Sequence, residues 1–144
     1  MGGTEAQTLN LVRVLFCAGY DVTVACYYEH DRSMVALMEE AGARVDLLQE
    51  GRANGLISLF KRLTAYFREL RPDIVHVQYV APGFVPIAAA RLAGIRTIFA
   101  SVHQPGRPYG RKAKLLLRTA ASLCTAFFCN SQAVEQSWFG DSSL

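Results

Sequence analysis

The sequence predicts an α/β fold, a doubly wound parallel sheet with helices on both faces. Three observations predict it. Apolar, β-branched runs alternate along the whole chain with segments of helical periodicity. The connections are short, with no internal repeat and no low-complexity tract. One run, Ile74-Val75-His76-Val77, follows Pro72, which stops a helix because it lacks an amide donor. Ile74, Val75 and Val77 are apolar toward both faces, as expected of a central strand covered on both sides. His76, Gln78 and Tyr79 then place polar groups at its carboxyl end, the edge where open α/β sheets bind ligands.

In chain order, Thr4 with Gln7 three residues later forms a capping box, so a helix starts at about Glu5. Leu9, Val12, Leu15 and Phe16 form its apolar face, and Gly19 its left-handed end. Residues 22–26 read as a buried strand. Ser33 opens a second helix with Met34, Leu37, Met38 and Ala41 inward, closed by Gly42. A short strand follows at 45–48, then a polar loop at 49–54. In the third helix, 56–70, Leu56, Phe60, Leu63, Phe67 and Leu70 recur at spacings of three and four, one stripe of a 3.6-residue period. Residues 82–93 form a small-residue helix capped by Gly94, its alanines suited to close packing. Strand 97–102 ends in Ser101-Val102-His103. Helix 109–123, strand 126–129 and a short helix 132–138 complete the order. No strand precedes the glycine pair Gly2-Gly3. In the order 3-2-1-4-5-6, the first strand would lie between residues 22–26 and 74–77. Either it belongs to a segment ahead of residue 1, or those two strands pair directly.

At 144 residues the chain fits one domain, long enough to bury roughly 70% of its unfolded surface. With 51% hydrophobic and 19% charged residues it is a folded globular domain and not a disordered tail. A net charge of +3 is too small to argue for nucleic acid. Cys17, Cys26, Cys124 and Cys129 lack C-x-x-C spacing and read as buried reduced thiols of a cytosolic protein, with no metal site. No apolar run reaches the ~20 residues of a membrane span.

Five stretches in order carry a family resemblance: Gly2-Gly3-Thr4-Glu5, Ala18-Gly19-Tyr20-Asp21-Val22-Thr23-Val24, Arg71-Pro72-Asp73-Ile74-Val75-His76, Val102-His103 and Cys129-Asn130-Ser131. Together they resemble the N-terminal domain of retaining glycosyltransferases of family 4, with the two-domain GT-B fold. The resemblance implies a Rossmann-like domain over residues 1–144, lacking the usual first strand. It also implies sugar transfer with retention from a nucleotide sugar to an acceptor, in a cleft between two such domains and without a metal or other cofactor. This domain chiefly holds the acceptor. The donor-binding domain with its Glu-x7-Glu motif is absent from these residues, so the chain alone is expected to be inactive, a fragment or a subunit needing a donor-binding partner.

On that reading Gly2 and Gly3 leave helix-end amides free for a phosphate. The resemblance places His103 in the catalytic cleft as a polar contact steadying the sugar, and Ser131 near it. Glu5 reads first as a favourable charge in the helix's opening turn, and Ser131 with Asn130 first as a helix cap. His76 reads as a hydrogen-bonded core histidine. Arg107, Arg111, Lys112, Lys114 and Arg118, with no acid between 104 and 123, are either a solvated helix face or a docking surface for anionic lipid or a phosphorylated acceptor. The expected place is the cytoplasm, peripheral to the membrane if that surface docks there. A dinucleotide-binding oxidoreductase is the other class: Gly3-Thr4-Glu5-Ala6 is half of its fingerprint, and Glu29 lies near the place of a ribose-binding acid.

Overall fold

The computed structural model describes residues 3–79 and 84–140. Gly2, Pro82 and Gly83 lie outside them. The described chain alternates helix and strand: α1 (Gly3–Cys17), β1 (Thr23–Cys26), α2 (Arg32–Glu40), β2 (Arg44–Leu47), α3 (Gly55–Leu70), β3 (Ile74–Tyr79), α4 (Phe84–Leu92), β4 (Thr97–Val102), α5 (Arg111–Ser122), β5 (Ala126–Cys129) and α6 (Gln132–Phe139). All strand pairs are parallel. The α/β class with parallel strands and helical crossovers is therefore as the alternation predicts.

The strands make two sheets, β1-β2 and β3-β4-β5, within two compact units, Met1–Gly55 and Leu56–Leu144. Each sheet keeps its expected internal order, and among the described residues no ladder joins β1 to β3. β3 is consequently an edge strand and not the centre, and Ile74 is 44% exposed. Apolar composition suggested cover on both faces; the physical difference is that no described strand supplies hydrogen bonds to the outer side of β3.

In the first unit, Leu9 and Val12 of α1 meet Met34 and Met38 of α2 and Ala43, with Val22, Val24 and Val45 packed against them. Phe16 does not join this core. It is 52% exposed and lies over Gly42, where an added Cβ would fall 2.5 Å from its ring. Gly42 also has φ +96°, so both space and backbone demand glycine there. Helix α1 already begins at Gly3, which puts Thr4 inside it and removes the expected capping box. Asp31, not Ser33, caps α2, its Oδ1 accepting from the Ser33 amide at 2.7 Å.

In the second unit, α3 buries Leu59, Leu63, Thr64 and Phe67. Its face is rotated from the expected stripe, and Leu56 is exposed. Pro72 follows the end of α3 as expected, with Arg71 at φ 50° between them. Burial alternates along β4: Ile98, Ala100 and Val102 are buried beside Val75 and Val77 of β3. Ala89 and Ala90 of α4 are fully buried, as close packing predicts. α4 packs on β3 and α5, α5 on α6, and α6 on β5. Arg91 joins helix ends by donating to the Leu123, Ile95 and Arg96 carbonyls at 2.6, 3.2 and 2.7 Å.

The cysteines depart from expectation. All four are free, but Cys17 is exposed and Cys26, Cys124 and Cys129 are half-buried. Partial burial still raises the last three thiols, Cys129 to about 11 with Glu135 nearby.

Candidate functional site

Parallel register sets Gln78 of β3 beside Ser101 of β4. Because side chains alternate, His76, Gln78, Phe99 and Ser101 share the face opposite the buried valines. On that face His76 Nε2 lies 2.8 Å from Ser101 Oγ. Its ring meets Phe99 and Phe128 edge-on at 6.3 and 6.4 Å. His76 is therefore hydrogen-bonded as expected, but it is half-buried and not a core residue.

His103 emerges directly after β4, where the carboxyl ends of the strands converge. Its Nε2 lies 3.0 Å from Gln78 Oε1. Asn130, just after β5, donates to the His103 carbonyl at 3.4 Å. His103 Nδ1 is shut off from solvent and has no hydrogen-bond partner among the described residues. Burial lowers the His103 pKa; burial, then the charge of His103, lowers that of His76. Both rings are thus predominantly neutral at pH 7.

The loop that follows is fastened by α6, a tertiary contact that the helical pattern of 132–138 does not disclose. Trp138 Nε1 donates to the Gln104 carbonyl at 2.8 Å, and the Gly106 amide donates to Ser137 Oγ at 2.7 Å. Tyr109 stacks on Trp138 with ring centroids 5.0 Å apart. A Cβ on Gly106 would stand 2.6 Å from the indole and 2.9 Å from the Ser137 carbonyl, so only glycine lets the loop approach so closely. Two signals were available: Trp138 is the sole tryptophan of the chain, and Gly106 follows a proline.

Ser131 is the N-cap of α6, accepting from the Val134 amide at 3.3 Å. Its structural reading is the one realised, and it holds the helix that anchors the His103 loop. Gly2 lies outside the described residues. Gly3 is exposed as the first residue of α1, and a Cβ there would meet nothing within 4 Å. Glu5 sits half-buried in the same opening turn. These residues belong to the first unit, whereas His103 and Ser131 belong to the second.

The basic residues divide. Arg107, Arg111 and Lys112 are exposed and Lys114 is half-buried. Arg118 donates to the Phe139 carbonyl at 2.9 Å and so closes the carboxyl end of α6. Helix α5 begins at Arg111, after Gly110, and not at Tyr109, whose ring is engaged by Trp138. Leu115 and Leu116 are 66% and 47% exposed beside these cations.

Glu29, weighed as a ribose-binding acid, is taken by Arg52, whose Nε and Nη2 reach its carboxylate at 2.8 Å each. This bidentate pairing holds the Glu29 carboxyl down to about 2. The same guanidinium lies 4.5 Å over the Tyr28 ring. With its fork occupied, Glu29 is poorly placed to accept ribose hydroxyls. At the opposite, amino end of β3 and β4, a groove of about 600 Å³ is lined by Arg68, Arg71, Asp73 and Arg96. It is remote from the histidine edge and lies where α3 and α4 end, so arginine there complements helix carboxyl termini. Among the described residues no three His, Cys, Asp or Glu side chains converge as a metal centre requires. None of the described helices is long and apolar enough to cross a membrane.

The family model for Glycosyltransferase Family 4 matches residues 1–140 of the 144. No curated protein matches the chain.

Proposed function

The chain belongs to glycosyltransferase family 4, and from that premise we propose that it is the acceptor-side domain of an enzyme moving a sugar from a nucleotide sugar to an acceptor with retention. The observation that carries the reading is the match across residues 1–140. Supporting it is His103, held at the carboxyl edge of a parallel sheet, where α/β folds bind ligands. Transfer between two bound sugars depends chiefly on positioning, which is worth several kcal/mol when geometry is fixed. A ring bound to Gln78, with its carbonyl bound to Asn130 and the following loop pinned by Trp138, suits that task. Neutral at pH 7, it offers the sugar a dipole and not a charge.

Gly3 at the start of α1, with Gly2 before it in the sequence, is the proposed seat of a phosphate, with Glu5 in the same opening turn. The open space around Gly3 is compatible with a ligand approaching those amides. The nucleotide sugar serves as substrate, and no resident cofactor is invoked. The reading calls for a donor-binding domain, in the same polypeptide or a partner chain.

The exposed side of α5 is proposed to rest on an anionic membrane at the cytoplasmic surface. Arg111 and Lys112 would meet the headgroups while Leu115 and Leu116 enter the interface.

The test is calorimetric titration of the chain, joined to a donor-binding domain of the family, with a panel of nucleotide sugars and free nucleotides. Binding that weakens about tenfold or more in Gly3→Val and His103→Ala, with circular dichroism unchanged, is expected. No binding to any member of the panel, or equal binding by both variants, would overturn the assignment of these residues.

A further inference from the structure

We infer that Gln78 is a positioning residue that holds the His103 ring in its neutral tautomer with hydrogen on Nε2. The inference rests on the reading of His103 as a sugar contact and deepens it. Three protonation states must be compared at a 3.0 Å separation between Nε2 and Gln78 Oε1, with Nδ1 sealed from solvent and unpartnered. With hydrogen on Nε2, the ring donates to the carboxamide oxygen, and the unpaired Nδ1 atom is only an acceptor. With hydrogen on Nδ1, the carboxamide must turn its amino group to Nε2, and a buried N–H donor is left without a partner. Orphaned donors are the rarer and costlier arrangement. The imidazolium adds a charge to that same unpartnered donor and is the least favourable of the three. The first state therefore prevails.

The consequence for transfer is specific. The Nε2 proton is committed to Gln78, and Nδ1 carries a lone pair alone. His103 thus acts on a sugar through its dipole and shape and does not release a proton to it. Of the titratable groups on surrounding elements, β3 carries His76, β5 carries Cys129 and α6 carries Glu135. Burial is what lowers His103, and His103 in turn lowers His76. Gln78 is the side chain that contacts its Nε2.

The experiment is long-range 1H–15N NMR of the chain labelled at histidine, titrated from about pH 5 to 8. Only His30, His76 and His103 contribute, so His76→Gln and His30→Gln complete the assignment. The wild type should show His103 as the Nε2–H tautomer. Gln78→Leu should give a mixture of tautomers. Gln78→Glu, nearly isosteric, should raise the His103 pKa by about one unit or more, because a carboxylate at that distance favours the imidazolium. An Nδ1–H ring in the wild type, or a pKa unmoved by Gln78→Glu, would overturn the inference. If Gln78→Leu fails to fold, the glutamate variant decides alone. A wrong tautomer alongside intact nucleotide-sugar binding sinks only this inference. A correct tautomer, with no nucleotide-sugar binding once the donor-binding domain is supplied, sinks only the functional reading.

Discussion

Trp138 donates its indole N–H to the carbonyl of Gln104 at 2.8 Å, so the last helix fastens the loop that begins at His103. Trp138 is 1% exposed, and phenylalanine in its place loses both this bond and part of the buried indole. Trp138→Phe should therefore cost about 1–3 kcal/mol. Urea unfolding with an unchanged m-value is the measurement. A midpoint equal to the wild type would mean that the bond contributes nothing to holding the loop.

Gly106→Ala addresses the same contact from the other side. Its φ is not in the left-handed region, so the penalty is one of space: the new Cβ falls 2.6 Å from the indole and 2.9 Å from a backbone oxygen. The oxygen cannot move like a flexible side chain. Overpacking of this kind costs typically about 1–3 kcal/mol. We expect reduced stability together with altered ring-current shifts at Tyr109, whose ring stacks on Trp138. Full stability in the alanine variant would show that the loop yields freely.

Particular residues show how much of this was legible in the sequence. The alternation of strands with helices and the place of His103 at a strand end follow from local patterning, which needs only a few neighbouring residues. The bounds of β1, β2 and β3 nonetheless differ from those expected by one or two residues. The edge position of β3 did not follow, because Ile74 reads the same whether a strand lies beside it or not. Phe16 has the spacing of a core residue, yet Gly42 draws its ring out over a turn distant in sequence. The Gln78–His103 bond joins residues 25 apart and depends on strand register, which periodicity does not fix. Ser131 was read correctly as a cap because capping is local. Its partner function, holding the helix that carries Trp138, is a tertiary fact.

The histidines give stability a pH dependence with a definite sign. His76 and His103 both have folded pKa values below the usual 6.5, so the native state binds fewer protons than the unfolded chain. Their contribution is present in full above the unfolded value and is lost as pH falls through the folded values. Denaturation midpoints should decline on acidification below about pH 6.5. His76→Gln, which can still bond Ser101, should flatten that decline. An identical acid dependence in the variant would remove His76 from the account.

The last prediction concerns α5. Arg111, Lys112 and Lys114 are expected to draw the domain to an anionic surface, while Leu115 and Leu116 supply apolar area. Each basic residue near such a surface is worth about 1 kcal/mol, so replacing the three with glutamate should weaken binding by at least about 3 kcal/mol, roughly a hundredfold. Arg118 is left unchanged, because its bond to the Phe139 carbonyl is structural and its loss would confuse folding with docking. Co-sedimentation with phosphatidylserine-containing vesicles is the measurement, with phosphatidylcholine vesicles as the neutral control. Binding should fall with salt, since exposed charges are screened within about 8 Å at physiological ionic strength. Leu115→Ser with Leu116→Ser should weaken the remaining, salt-insensitive part. Equal sedimentation with neutral vesicles, or none with anionic ones, would leave α5 a solvated face.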